Sequence, residues 1–155
     1  MVIPTELTSH LIRRARPDDA RHIEALYREL IGDAEVRVLP ARIAQVADDP
    51  YAALLVLESG GVLRASALVN LCADVMFGSQ PFAVVENNVV DATCRGQGWG
   101  TALLRWIEED CKDRGCSKIM LLSSVERSEA HRFFMHCGFS DSKKKGFIKY
   151  RRDFR

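Results

Sequence analysis

The chain has 155 residues, 47% of them hydrophobic and 28% charged, with 22 basic side chains against 21 acidic ones, proportions that fit one soluble globular domain over 1–155. A formal net charge of +1 is too small for the phosphate-tracking surface of a general nucleic-acid binder, although seven basic residues and one acid crowd into 143–155. No apolar run approaches the ~18–20 residues that cross a bilayer and 1–9 carries no secretory apolar segment, so neither nucleic acid nor membrane is expected as a partner and the cytoplasm is the expected compartment.

Residues 11–16 predict a short strand. Pro17-Asp18-Asp19 then starts a helix, with proline in its first turn and acids at the positive end of the dipole. Ile23, Leu26, Tyr27, Leu30 and Ile31 follow the three-four spacing of one buried face, and Gly32 ends it. A weaker helical pattern spans 40–47 and closes at Asp48-Asp49-Pro50. Two β-prone runs, 52–58 and 62–71, flank Ser59-Gly60-Gly61, the signature of an antiparallel hairpin. A further strand, 82–90, follows a turn at 78–81.

From Gly98 the period changes to helical, with Leu103, Leu104, Ile107 and Cys111 inward and Gly115 as the stop. A short apolar strand at 119–122 completes a strand, turn, helix, strand crossover whose two strands must lie parallel. Ser128 is placed to cap a last helix that turns Ala130, Phe133, Phe134 and Cys137 inward and ends at Gly138. Segments 139–142 and 147–151 predict a closing strand pair. The order gives an α/β (α+β) fold with a mixed central sheet covered on both faces.

The cysteines at 72, 94, 111, 116 and 137 are odd in number and irregular in spacing, so no disulfide framework is expected. The histidines at 10, 22, 131 and 136 have no cysteine pair beside them to complete a zinc site, and no metal is expected.

The chemistry concentrates in Arg95-Gly96-Gln97-Gly98-Trp99-Gly100-Thr101, between a strand and the N-terminus of a helix whose first amides have no internal partners. Glycines at alternate positions let the backbone approach a diphosphate, and the helix dipole favours its charge. A tightly packed connection without a ligand would also use glycine. A nucleoside-triphosphate loop requires Gly-Lys-Ser/Thr, whereas Gly100 is followed by Thr101 and Ala102; a dinucleotide loop requires wider glycine spacing and an acid about twenty residues on, where this chain has its apolar strand.

The remaining pattern, Arg95-x-x-Gly98-x-Gly100, resembles the acyl-coenzyme-A loop of the GNAT superfamily, the Gcn5-related N-acetyltransferases. The resemblance extends to Glu86-Asn87-Asn88-Val89-Val90 before the loop, to 127–139 with its Gly138-Phe139 exit, and to the order of elements over roughly 11–152. It implies the GNAT fold and transfer of an acetyl group from acetyl-CoA directly to a primary amine of a small molecule, with no covalent acyl-enzyme and no metal. Protein lysine or N-terminal amines are the rival acceptors, and an acyl-CoA-binding module with weak catalysis is the rival class. Homodimers are common in the family.

Residue by residue, the resemblance implies that the amides of Gly96, Gln97, Gly98, Trp99, Gly100 and Thr101, with Arg95 at the start, hold the pyrophosphate. The backbone of Asn88, Val89 and Val90 would pair with the pantetheine arm, and the Val90 amide would stabilise the oxyanion. An alkyl amine with a pKa near ~10 is almost wholly protonated at neutral pH, so a base is required. Glu86, an acid within an apolar strand, is the candidate, and a solvated strand face is its bland alternative. Glu86 and Asn87 are the expected acceptor contacts, on the argument that Asn87 and Asn88 point to opposite faces.

Phe134 departs from the family, standing where many members have a tyrosine that protonates the departing thiolate; a water, Ser123 or Ser124 is the alternative donor. Trp99 and Trp106 are expected to pack, His131 to lie on the helix surface or cap it, and Cys94 and Cys137 to fill core. Lys143-Lys144-Lys145 is either a solvated turn or an attractor for an anionic amine such as an amino-sugar phosphate or aminophosphonate. Residues 39–48 and 71–81 are the expected acceptor loops.

Overall fold

The computed structural model describes residues 9–155, which fall into two compact units meeting at Leu121/Leu122. The larger unit contains β1 (His10–Arg14), α1 (Ala20–Ile31), α2 (Pro40–Asp48), β2 (Ala52–Ser59), β3 (Val62–Cys72), β4 (Phe82–Val90), α3 (Trp99–Asp113) and β5 (Ile119–Leu121). Its five strands lie in the order β1-β2-β3-β4-β5. The first four are antiparallel to their neighbours, and β5 is parallel to β4, as the crossover requires.

The chain enters α1 through a 3-10 turn, Pro17–Asp19. The Asp19 carboxylate accepts the Arg16 amide at 2.7 Å and two hydrogen bonds from Arg13 at 2.8 and 3.0 Å. Arg13 also donates to Glu58 on β2 at 2.9 Å, so one guanidinium ties β1, the turn and β2 together. Gly32 closes α1 with φ +65° and an amide bonded to Arg28. The β2–β3 hairpin turns on Gly60 and Gly61, both at positive φ (+61° and +74°), the backbone that a two-residue connection demands.

Both sheet faces are covered. Leu54 and Val56 of β2 pack with Ile23 of α1 and Ile43 of α2 on one side. The pleat turns Leu55 and Leu57 to the other side, where α3 packs against β3 and β4 through its buried residues Leu103, Leu104, Ile107 and Cys111. Burial of each large aliphatic side chain here contributes about 1.5–3 kcal/mol. Since β2 is buried on both faces it carries a continuous apolar run.

The second unit contains α4 (Ser128–His136). Ser128 is its first residue, not its cap: Arg127 occupies the cap position without a side-chain bond, and the imidazole of His131 instead lies 2.8 Å from the Ser124 carbonyl. Phe134 is 8% exposed and packs against Phe133 and Phe139, with ring centroids 5.4 and 6.1 Å apart.

The closing strand pair does not form. Ser140 and Ser142 bond to each other locally, and 144–150 runs without a ladder before a 3-10 turn at Arg151–Asp153. Phe147 and Ile148 are 89% and 66% exposed. A β-prone run becomes a strand only where another strand receives its hydrogen bonds, and propensity alone does not supply one.

Candidate active site

Two neighbouring features of the larger unit form the candidate site: the glycine turn before α3, and an irregularity near the end of β4. After β4 the Asp91 carboxylate accepts the Thr93 amide (2.9 Å) and hydroxyl (2.8 Å). Those bonds, the amide first, hold its carboxyl below the ordinary aspartate range. They fold Ala92–Cys94 into a 3-10 turn, which delivers the chain to Gly96 and Gly98.

Both glycines lie at positive φ, +77° and +85°, and a Cβ at either position would meet nothing within 4 Å. Close packing therefore does not explain them; the left-handed backbone and the space above it do. Gly98 is the N-cap of α3, and the first backbone bond into the helix runs from the Ala102 amide to the Gly98 carbonyl at 3.0 Å. Among the described residues, the amides of Gly96, Gln97, Gly98, Trp99, Gly100 and Thr101 have no backbone acceptor. The result is a row of donors at the positive end of a fifteen-residue helix, a chemistry that fits a diphosphate.

Arg95 does not point along that row. Its side chain turns back to the Val90 carbonyl (3.3 Å) and to Glu29 of α1 (3.4 Å), while Glu29 also accepts the Ala92 amide at 2.7 Å. Trp99 packs as expected, 8% exposed with its ring edge against His10. Its indole Nε1 is buried without a partner among the described residues. Trp106 is 40% exposed instead of packed, because α3 buries the stripe through Leu103, Leu104, Ile107 and Cys111.

On β4, Glu86 pairs with Leu68 and Val89 with Ser66, so Asn87 and Asn88 together oppose the single residue Ala67. This is a β-bulge, and Asn87 sits in it at φ +53°, the one described residue other than glycine at positive φ. The extra residue interrupts the regular pleat at Asn87. A regular strand would send Asn87 to the α3 side. Here its side chain reaches the Tyr27 hydroxyl on α1, close to Ser66. Burial pushes the Tyr27 hydroxyl above its ordinary pKa, and those two partners oppose the shift. The Asn88 Oδ1 is buried with no partner among the described residues, while Glu86 is exposed.

The ladder also sets the direction of the backbone at the strand end. The Asp91 amide donates to the Arg64 carbonyl at 2.8 Å, so the adjacent pair Ala65/Val90 turns its backbone groups away from each other. The Val90 amide and carbonyl therefore face the side of β4 that β5 covers only at Ala83, Val84 and Val85. By the same alternation Val89 directs its backbone to β3. The ladder thus leaves the Val90 main-chain groups on that side and engages those of Val89.

Of the segments expected to form acceptor loops, 39–48 is almost wholly the helix α2. The other, after β3 ends at Cys72, carries Val75, Met76 and Phe77 at 92%, 73% and 69% exposed. Lys143, Lys144 and Lys145 belong to the second unit and are exposed. Sequence reasoning missed Tyr27 and Glu29. Spacing puts Tyr27 on the apolar face of α1, but a phenol in such a face carries a polar tip that needs a partner. Nothing local marks Glu29, whose partners lie more than sixty residues away. Among the described residues no cluster of metal-ligating side chains occurs, and no helix is long and apolar enough to cross a membrane.

The chain is 34% identical over 58 residues to the aminoalkylphosphonate N-acetyltransferase of Salmonella typhimurium, a match covering 37% of this chain and 38% of that protein. It is 27% identical over 99 residues to the glucosamine 6-phosphate N-acetyltransferase of Arabidopsis thaliana, covering 64% of each. These matches thus span less than two thirds of either relative. The crystal structure of glucosamine-6-phosphate N-acetyltransferase from Arabidopsis thaliana superposes with a TM-score of 0.78 over 92% of this chain and 99% of that one, at 24% identity, which is a likeness of fold. The model of the Acetyltransferase (GNAT) family matches residues 22–139, most of the chain. With the glycine turn, the bulged fourth strand and the sheet order already in place, that match makes the chain a member of the GNAT acetyltransferase family.

Proposed function

We propose that this protein transfers an acetyl group from acetyl-CoA directly to the primary amine of a small anionic molecule of the amino-sugar phosphate or aminophosphonate class. The observation that carries the coenzyme assignment is the row of amides from Gly96 to Thr101 with no backbone acceptor among the described residues, under open space at Gly96 and Gly98. Those amides would hold the diphosphate without any lysine. Arg95, tied to Glu29 and Val90, would brace the loop. When bound, the coenzyme supplies an activated acetyl thioester.

The chain's own residues supply the rest. The Val90 amide, turned to the uncovered side of β4, would donate to the thioester oxygen as negative charge grows on it, which stabilises the transition state more than the ground state. Glu86 would take the proton from the incoming ammonium, directly or through a water. Asn87, fixed in the bulge, would contact the acceptor. The acceptor class is supported by the activities named for the two relatives.

Thiol release with acetyl-CoA and a panel of glucosamine 6-phosphate, aminoethylphosphonate, unphosphorylated glucosamine and a lysine peptide tests this reading. Release should be fastest with the two phosphorus-bearing amines. Release with the peptide alone would transfer the assignment to protein acetylation. Phe134, which has no hydroxyl to protonate a thiolate, favours one further reading, a coenzyme-binding module. Coenzyme binding by calorimetry with no release for any amine would establish that reading instead.

A further inference from the structure

The opposite end of α3 carries a second chemical feature. Gly115 follows the helix at φ +71°, its amide bonds to the Lys112 carbonyl at 3.0 Å, and the Cys116 amide bonds to the Cys111 carbonyl at 2.9 Å. This pair of 5→2 and 6→1 bonds is a Schellman ending, which brings the side chains of its first and sixth residues into contact, usually as two apolar groups. Here both are thiols, and the Cys116 sulfur is near enough to act on the Cys111 thiol. Cys111 is 3% exposed, on the buried face of α3, whereas Cys116 is partly exposed.

We propose that Cys111 and Cys116 are a dithiol modification site that closes to an intrachain disulfide when a small disulfide oxidant of the glutathione class reaches Cys116. A disulfide needs Cα atoms about 4.4–6.8 Å apart, and the 2.9 Å bond from the Cys116 amide to the Cys111 carbonyl holds the two residues close at the end of the helix. The Cys116 thiolate attacks the oxidant, breaks its sulfur–sulfur bond and expels one half as a thiolate. Cys111 then attacks the Cys116 sulfur and expels the second half. The two protein thiols give up two protons and two electrons, and one molecule of oxidant becomes two thiols.

The order of attack follows from the site. Burial first, and the neighbouring Cys116 sulfur second, push the Cys111 thiol above its ordinary pKa, so the exposed partner is the point of entry and Cys111 the resolving group. Neither step uses the glycine turn or Glu86, and the inference stands apart from the acetyl-transfer reading.

The test is incubation of the folded protein with oxidised glutathione, acid quench, alkylation in denaturant and trypsin digestion. Trypsin cuts after Lys112 and Arg114, so Cys111 and Cys116 fall on separate peptides. The expected result is a linked pair, 106–112 joined to 115–118, lighter by two hydrogens than the sum of its reduced halves. Cys111→Ser, which removes the resolving thiol, should retain glutathione on Cys116. Recovery of both cysteines alkylated in the wild-type protein, or of Cys116 still bearing glutathione beside alkylated Cys111, overturns the proposal. An unmodified Cys116 in the Cys111→Ser variant overturns the assigned point of entry.

Discussion

Asn87 lies across the ladder from Ala67 and shares that place with Asn88, so β4 carries one residue more than its partner strand at this point. The extra residue needs a left-handed backbone, which Asn87 adopts at φ +53° and which asparagine tolerates better than most side chains. Replacing Asn87 by valine should cost about 1–2 kcal/mol of stability, because a β-branched residue is strained there. Asn87→Gly should stay near the wild-type stability while losing the contact with Tyr27. Urea denaturation of the two variants checks both, and equal stability of Asn87→Val and wild type would argue against the bulge.

The glycine turn makes a separable prediction. Gly98 stands at φ +85° with no atom within 4 Å of a Cβ, so a valine there adds backbone strain and also fills the space over the turn's amides. Gly98→Val should weaken coenzyme binding by about tenfold or more, ~1.4 kcal/mol per factor of ten, with the circular dichroism of a folded protein. Calorimetric affinity equal to wild type would remove the turn from the binding site.

Glu86 is exposed on β4, next to the bulge. If it accepts the proton of the acceptor, Glu86→Gln should lower kcat by about 10²-fold. The loss should be greatest at low pH, where the free amine is scarcest, and coenzyme affinity should be kept. Rates equal to wild type across the pH range would assign the base elsewhere.

The ion-pair cluster at the start of α1 sets an acid limit. The Arg13 hydrogen bonds, opposed by burial, hold the Asp19 carboxyl below its ordinary value of 3.8. A carboxylate depressed in the folded state stabilises it above the unfolded pKa, and that contribution is lost as pH falls through the folded value. Stability should therefore drop as pH is lowered below about 4. Asp19→Asn should cost about 2 kcal/mol at neutral pH and flatten the acid limb. Thermal melts at stepped pH, wild type against variant, measure the difference.

The local chemistry of the chain determined much of this protein. The β4 boundaries, the stripe that α3 buries and the glycine turn before it follow from periodicity and from positions where only glycine adopts the backbone cheaply, properties that adjacent residues carry among themselves. The tertiary structure alone decided the bulge at Asn87, the retreat of Arg95 to Glu29 and Val90, and the unpaired course of 144–150. Each of those depends on a partner far along the chain. Ladder register, the far end of an ion pair and the presence of a receiving strand are settled by which segments meet, and a residue's own preferences do not encode its distant neighbour.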